Sequence, residues 1–327
     1  MPKYFVLVRK QLSNYLVLFV RYITHFRNRS IRPNKKNRNI AKSTDKWYLS
    51  QKYTSMGEQV EMKIGNWIEK LQSLGKSAFS LELLIHELPN YTAIGIKRSL
   101  SRLSAKGQIV SIYKGYYLII PPQYASKGIL PPSIFLDAFM NFLERPYYLA
   151  LLNAAAFYGT SHQQPQEFFV MTNLPVLRHT LKKGLKVNYI SKKEIPEKLL
   201  EIKKTESGYL KISNPVLTAT DLIQFEKRVG GMSRVATVLN ELAEVIKPED
   251  FNVFFIENTP VTALQRLGYI LDIIVENKPL ADALYEILLQ NKAKMFRIPL
   301  KASAPIKGFS SDERWKVIVN TEIEIDE

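Results

Sequence analysis

The chain has 327 residues, 46 lysines and arginines against 30 acids, and a hydrophobic fraction of 46%, enough to build cores in more than one domain. It contains no cysteine and only four histidines, His25, His86, His162 and His179. That excludes disulfides, thiolate nucleophiles and cysteine zinc sites, and leaves little for a histidine metal site. Nothing calls for an oxidising compartment, and a cytoplasmic protein is expected.

The net charge of +16 is unevenly placed. Residues 1–55 hold 13 basic side chains and one acid, Asp45, whereas the remaining 272 residues hold 33 basic and 29 acidic ones. Most of the basicity therefore belongs to this leader and says little about the folded part. Its two apolar runs, 4–8 and 15–20, are each closed by basic residues and fall well short of the roughly 20 residues that span a bilayer. No small-residue cleavage site follows, and the polybasic stretch 27–46 is expected to be disordered. Three readings stay open: a leader outside the natural product with Met56 as the true start, a nonspecific nucleic-acid arm, and a membrane-surface helix.

After Met56 the pattern turns helical. Ile64, Trp67, Ile68 and Leu71 fall at i, i+3, i+4 and i+7, predicting an amphipathic helix closed by Gly75. Ser80 can cap a second helix over 81–88, stopped by Pro89. Asn90-Tyr91 makes the turn, and Thr92 can cap a third helix ending at Gly107. Strands over 108–112 and 116–120, joined at Lys114-Gly115, complete the order helix, helix, turn, helix, hairpin. Within residues 56–125 this is the pattern of a winged helix-turn-helix.

Pro146 then reads as the first residue of an apolar helix over 147–158, closed by Gly159. Short strands are expected at 168–171, 185–190 and 209–212. Three helices follow: one capped by Ser233, one started by Thr259-Pro260, and one over 279–290. Near the end Trp315, Val317 and Val319 alternate with Lys316, Ile318 and Asn320, as in a strand. The expected class is α+β, with a winged helix-turn-helix over 56–125 and a larger mixed α+β domain over 126–327.

On the third helix, a rotation of 100 degrees per residue gathers Ile96, Leu100 and Leu103 within about 60 degrees as the core face. Arg98, Ser101 and Arg102 occupy the opposite face, with Lys97 and Lys106 on its flanks. Arginine can donate two hydrogen bonds to guanine O6 and N7, and serine adapts to either base. Lys97, Lys106 and Lys114 suit phosphate contacts, as do Tyr116 and Tyr117 of the hairpin. Residues 56–125 carry eight basic and five acidic side chains, so binding should be modest, salt-sensitive and favoured by paired sites on double-stranded DNA.

A second basic stretch, 178–204, holds Arg178, Lys182, Lys183, Lys186, Lys192, Lys193, Lys198, Lys203 and Lys204 against three glutamates. It is either the solvated face of a hairpin or a contact for an acidic partner, RNA or a phosphate-rich substrate. Signals for catalysis are sparse. Glu201-Ile202-Lys203 matches half of a metal-dependent nuclease site, and His162 sits in the polar turn His162-Gln163-Gln164-Pro165-Gln166. No catalytic residue, metal or cofactor is expected.

In order along the chain come the aromatic-alanine segment 147–158, the His162 turn, Gly230-Gly231-Met232-Ser233-Arg234-Val235-Ala236-Thr237-Val238-Leu239, Gln265-Arg266-Leu267-Gly268-Tyr269-Ile270-Leu271-Asp272, and Arg314-Trp315-Lys316-Val317-Ile318-Val319-Asn320. Together they resemble the AbiEi family, antitoxins of type IV toxin–antitoxin and abortive-infection (phage-defence) systems. The resemblance covers residues 62–327 and leaves out the leader. It implies a winged helix that represses its own operon by binding promoter repeats. It also implies a C-terminal domain that opposes a nucleotidyltransferase-like toxin without a stable complex. The family supplies no agreed catalytic residues. The alternatives are a metal-dependent nuclease with a winged-helix targeting domain, and a ligand-sensing transcription regulator.

Overall fold

The computed structural model describes residues 62–160, 167–205 and 208–325. The leader, Met56 and the His162 turn lie outside them. Helix α1 (Ile64–Ser73) buries Ile64, Trp67, Ile68 and Leu71, the four positions of the predicted stripe. Strand β1 (Ala78–Ser80) leads into α2 (Leu81–Glu87), where Ser80 accepts a hydrogen bond from the Leu83 backbone N–H. Helix α3 (Ala93–Ala105) is capped in the same way, Thr92 Oγ1 accepting from Gly95 N at 3.1 Å. These side-chain oxygens satisfy amide donors that the first turn of a helix leaves free.

Strands β2 (Ile109–Tyr113) and β3 (Tyr116–Ile119) form the expected hairpin. Gly115 supplies the left-handed residue of its turn, with φ 77°. The sequence reading missed that β1 pairs with β3, completing a three-stranded sheet in the order β1-β3-β2. Trp67, Phe79 and Tyr117 pack ring on ring in the core between this sheet and the helices.

Helix α4 (Pro132–Phe142) follows, with Pro132 at a position where a missing N–H costs nothing. Next comes β4 (Tyr147–Leu149), where the sequence reading placed a helix; the helix, α5 (Leu151–Ala155), starts two residues later. The correction has a clear cause. Tyr147 and Tyr148 point to opposite faces of the sheet, Tyr147 donating to Asp137 and Tyr148 to Asp221, each at 2.8 Å. A strand buried on both faces reads as a continuous apolar run, which helical periodicity cannot separate from a buried helix.

Strands β5 (Glu167–Asn173), β6 (Thr180–Lys182), β7 (Leu185–Lys192), β8 (Leu200–Thr205) and β9 (Gly208–Ser213) join β4 in a six-stranded mixed sheet, ordered β6-β7-β5-β4-β9-β8. The pairs β5–β7 and β4–β9 are parallel and the others antiparallel. One face carries Tyr148, Phe169, Met171 and Ile190. Helices α6 (Pro215–Gln224), α7 (Glu226–Val229), α8 (Met232–Leu242), α9 (Val253–Glu257), α10 (Val261–Tyr269) and α11 (Lys278–Gln290) follow in the chain and supply much of this core, with Trp315 and Val317 from near the chain end. The other face, with Leu149, Val170, Val187 and Leu210, is covered by Phe135, Leu136 and Phe139 of α4. This second core runs on into Ile112, Tyr116 and Leu118 of the hairpin.

Two further expectations are corrected. Gly231, not Ser233, occupies the N-cap position of α8, and Ser233 lies inside the helix. At the chain end only β11 (Val317–Ile318) is strand, paired parallel with β10 (Ile298–Pro299). Val317 and Ile318 are both buried, so the expected alternation fails because both sides of this short strand are covered.

The motifs at 265–272 and 314–320 meet in one clasp. Gln265 Nε2 donates to the carbonyls of Trp315 and Phe296, at 2.7 and 2.8 Å. Trp315 Nε1 and Arg314 Nη1 both donate to Asp272 Oδ2, at 2.9 and 3.0 Å, and Lys278 reaches Oδ1. Asp272 lies on a π-helical turn, Ile270–Ile274, that continues α10. Burial alone would raise its pKa, but the Lys278, Trp315 and Arg314 contacts outweigh burial and hold it below the ordinary aspartate value. A depressed folded-state pKa contributes stability that is present above the unfolded value and lost as pH falls through the folded one. Thermal melting is therefore expected to fall on acidification through and below the ordinary aspartate range. Asp272→Asn should melt lower at neutral pH and show a shallower acid slope; an unchanged slope would mean the clasp does not depend on this charge.

Candidate nucleic-acid interface

Helix α3 turns Ile96 and Leu100 into the core. Lys97, Arg98, Ser101, Arg102 and Lys106 are all exposed, as the rotation of the helix requires. Lys114 is exposed at the hairpin tip, and the Gly115 carbonyl accepts from Leu81 N at 2.7 Å, tying the tip to the start of α2. Arg102 Nε reaches back to the Arg98 carbonyl at 3.4 Å, so this guanidinium lies along its own helix. None of these five cations forms an ion pair among the described residues. The face is positive and unneutralised.

Tyr116 does not belong to it. Only 4% exposed, its ring packs on Phe139 and Phe142 with centroids 5.2 and 4.8 Å away. Burial, with the Asp137 charge nearby, pushes its hydroxyl pKa well up. A side chain in the core between hairpin and α4 cannot reach a phosphate, so this expectation is overturned. Tyr117 is half-buried and stacks on Phe79.

The second basic stretch is divided by the sheet. Strands β6 and β8 are its opposite edges, so the lysines do not line one hairpin face. Lys186 pairs with Glu167 at 2.7 Å, and Lys186 and Asn188 hold that carboxyl below its usual pKa range. Lys198 lies over the ring of Phe254. Arg178, Lys182 and Lys193 are exposed, and Lys183 and Lys204 border a cavity. Lys203 pairs with Glu201 at 2.6 Å and lies over the ring of Tyr158. The two charged residues of the Glu-x-Lys tripeptide thus satisfy each other, and among the described residues no group of three His, Cys, Asp or Glu could hold a metal.

Lys192 is the exception within that stretch, because it faces inward. Its Nζ lies 3.0 Å from Asp221 Oδ1 and 2.8 Å from the Tyr148 hydroxyl, which itself donates to Asp221 Oδ2. Asp221 is fully buried on α6. Burial raises its pKa, and the Lys192 charge and the Tyr148 hydrogen bond oppose that rise. The sequence reading placed Lys192 on the surface and passed over Asp221. A lone acid in the otherwise uncharged segment Pro215–Gln224 was the available signal, since a buried carboxylate requires a partner.

Residues 148–273 match the family of the AbiEi antitoxin C-terminal domain. Over these residues the chain is similar to that domain. The match supports a role as an antitoxin of a toxin–antitoxin system. The matched segment starts at Tyr148 and ends just past Asp272, so the Lys192–Asp221–Tyr148 cluster lies inside it and α3 lies outside. The fold resembles that of the RV2827C protein from Mycobacterium tuberculosis, with a TM-score of 0.57 and 17% identity over 77% of this chain and 89% of that one. At that identity the likeness is one of fold. No curated protein matches the chain. Among the described residues no helix is long and apolar enough to cross a membrane.

Proposed function

We propose that this protein is a non-enzymatic cytoplasmic antitoxin of a type IV system that also represses its own promoter. Residues 56–125 act as a winged helix-turn-helix on double-stranded DNA, with α3 in the major groove. Arg98, Ser101 and Arg102 read base edges, and Lys97, Lys106 and Lys114 hold the backbone. The AbiEi domain, within residues 126–327, opposes a nucleotidyltransferase-like toxin without forming a stable complex. The observation that carries the DNA half is the exposed, unpaired positive face of α3, presented after two helices and before a basic hairpin tip.

Gel retardation of the promoter fragment across a salt series tests it. Arg98→Ala should weaken operator binding by about 1–3 kcal/mol and relax sequence preference, whereas Lys106→Ala should weaken all sequences alike and lower the salt slope by about one. Wild-type affinity and slope in both variants would remove α3 from the interface.

A further inference from the structure

The face of the six-stranded sheet that α4 covers is not fully closed. At the amino end of α4 lies a cavity of about 810 Å³. Its floor is Leu149, Phe168 and Leu210 from three neighbouring strands, and Leu136 of α4 forms a wall. Three lysines border it, each from a different part of the chain: Lys127 before α4, Lys183 at the β6–β7 turn and Lys204 near the end of β8. Lys183 lies directly over buried Gly128, where an added Cβ would stand 2.5 Å from Nζ, so this ammonium is packed against the backbone beside Lys127. Among the described residues no lining side chain is acidic, and none of the three lysines forms an ion pair.

We infer that this cavity binds a small anionic amphiphile, an aliphatic or aryl body carrying a phosphate or carboxylate head. The volume lies within the range of small-molecule sites, which are apolar with a few polar groups that set orientation. The apolar floor takes the body, and three ammonium groups, with no acid among the described lining residues, favour an anionic head over a neutral or cationic one. The site lies away from the exposed face of α3 and holds whether or not that helix binds DNA.

Calorimetric titration of the full chain with decyl phosphate, kept below its micelle concentration, tests the assignment. Decanol, inorganic phosphate and decanoate serve as comparison ligands. Saturable binding of one decyl phosphate per chain is expected, at least about tenfold tighter than decanol, with Lys183→Gln and Lys204→Gln together losing about five- to tenfold for the phosphate and little for decanol. Decanoate binding as tightly as the phosphate would identify the head as a carboxylate, and weaker binding as a phosphomonoester; either supports the site. Ala156→Trp, at the exposed lip and outside the core, should abolish binding of both chain-bearing ligands while leaving the melting temperature of the free protein near wild type. Absence of saturable binding, equal affinity for decanol, or binding unaffected by Ala156→Trp would overturn the inference.

Discussion

Lys192→Ala is expected to destabilise the protein by about 3–5 kcal/mol, the usual cost of leaving one member of a buried ion pair without its partner. Asp221 is fully buried, and among the described residues its only cationic neighbour is Lys192, whose side chain is 17% exposed. Tyr148 donates one hydrogen bond to it but cannot neutralise it. The sign of the pH dependence follows from the raised pKa of Asp221. A carboxyl whose folded pKa lies above its unfolded value opposes folding more strongly as pH rises between the two, and the variant lacks the charge that limits this rise. The deficit of Lys192→Ala relative to wild type should therefore be largest at neutral pH and narrow as Asp221 is protonated. Adding Asp221→Leu and Tyr148→Phe to Lys192→Met should recover most of the loss, because an apolar cluster of similar volume leaves neither a desolvated charge nor an orphaned hydroxyl. Urea denaturation at two pH values checks both statements. A pH-independent deficit would mean that packing, not charge, is what Lys192 contributes.

Gly268→Ala should cost about 3–5 kcal/mol, on the scale of deleting a buried tryptophan. An added Cβ would stand 2.0 Å from the ring of Trp315, which is fully buried and held by its hydrogen bond to Asp272. The helix backbone is fixed by its hydrogen bonds, so the methyl group forces the Trp315 ring from its place at the cost of its hydrogen bond to Asp272 and opens the clasp. Combining Gly268→Ala with Trp315→Leu should then cost clearly less than the sum of the two single variants, since both break one contact. Additive costs in a double-mutant cycle would refute that contact.

The same two clusters explain what could and could not be read from the sequence. The first helix was legible because Ile64, Trp67, Ile68 and Leu71 repeat with the helix period and face one core, and the caps at Ser80 and Thr92 because the required side chain stands at the required place. Strand β4 was illegible because Tyr147 and Tyr148 serve two different cores, and β6 and β8 because their lysines look like loop. Tyr116 was misplaced for a related reason: its partners Phe139 and Phe142 lie on a helix that the pattern did not reveal. Charge counting along 178–204 could not show which lysines are neutralised, because Lys186 and Lys192 meet Glu167 and Asp221 from outside the stretch, whose positions the sheet and α6 determine. On α3, by contrast, helix rotation alone placed Arg98, Ser101 and Arg102 on the exposed side.

The central claim is a division of labour, with α3 binding the promoter and the AbiEi domain opposing the toxin. The most direct measurement is made in one cell carrying the toxin gene and a reporter driven by the antitoxin's own promoter. The chain bearing Arg98→Ala and Arg102→Ala is expected to leave the reporter derepressed while still restoring growth. Reporter repression at the wild-type level, or loss of growth rescue by a variant that folds normally, would contradict the account.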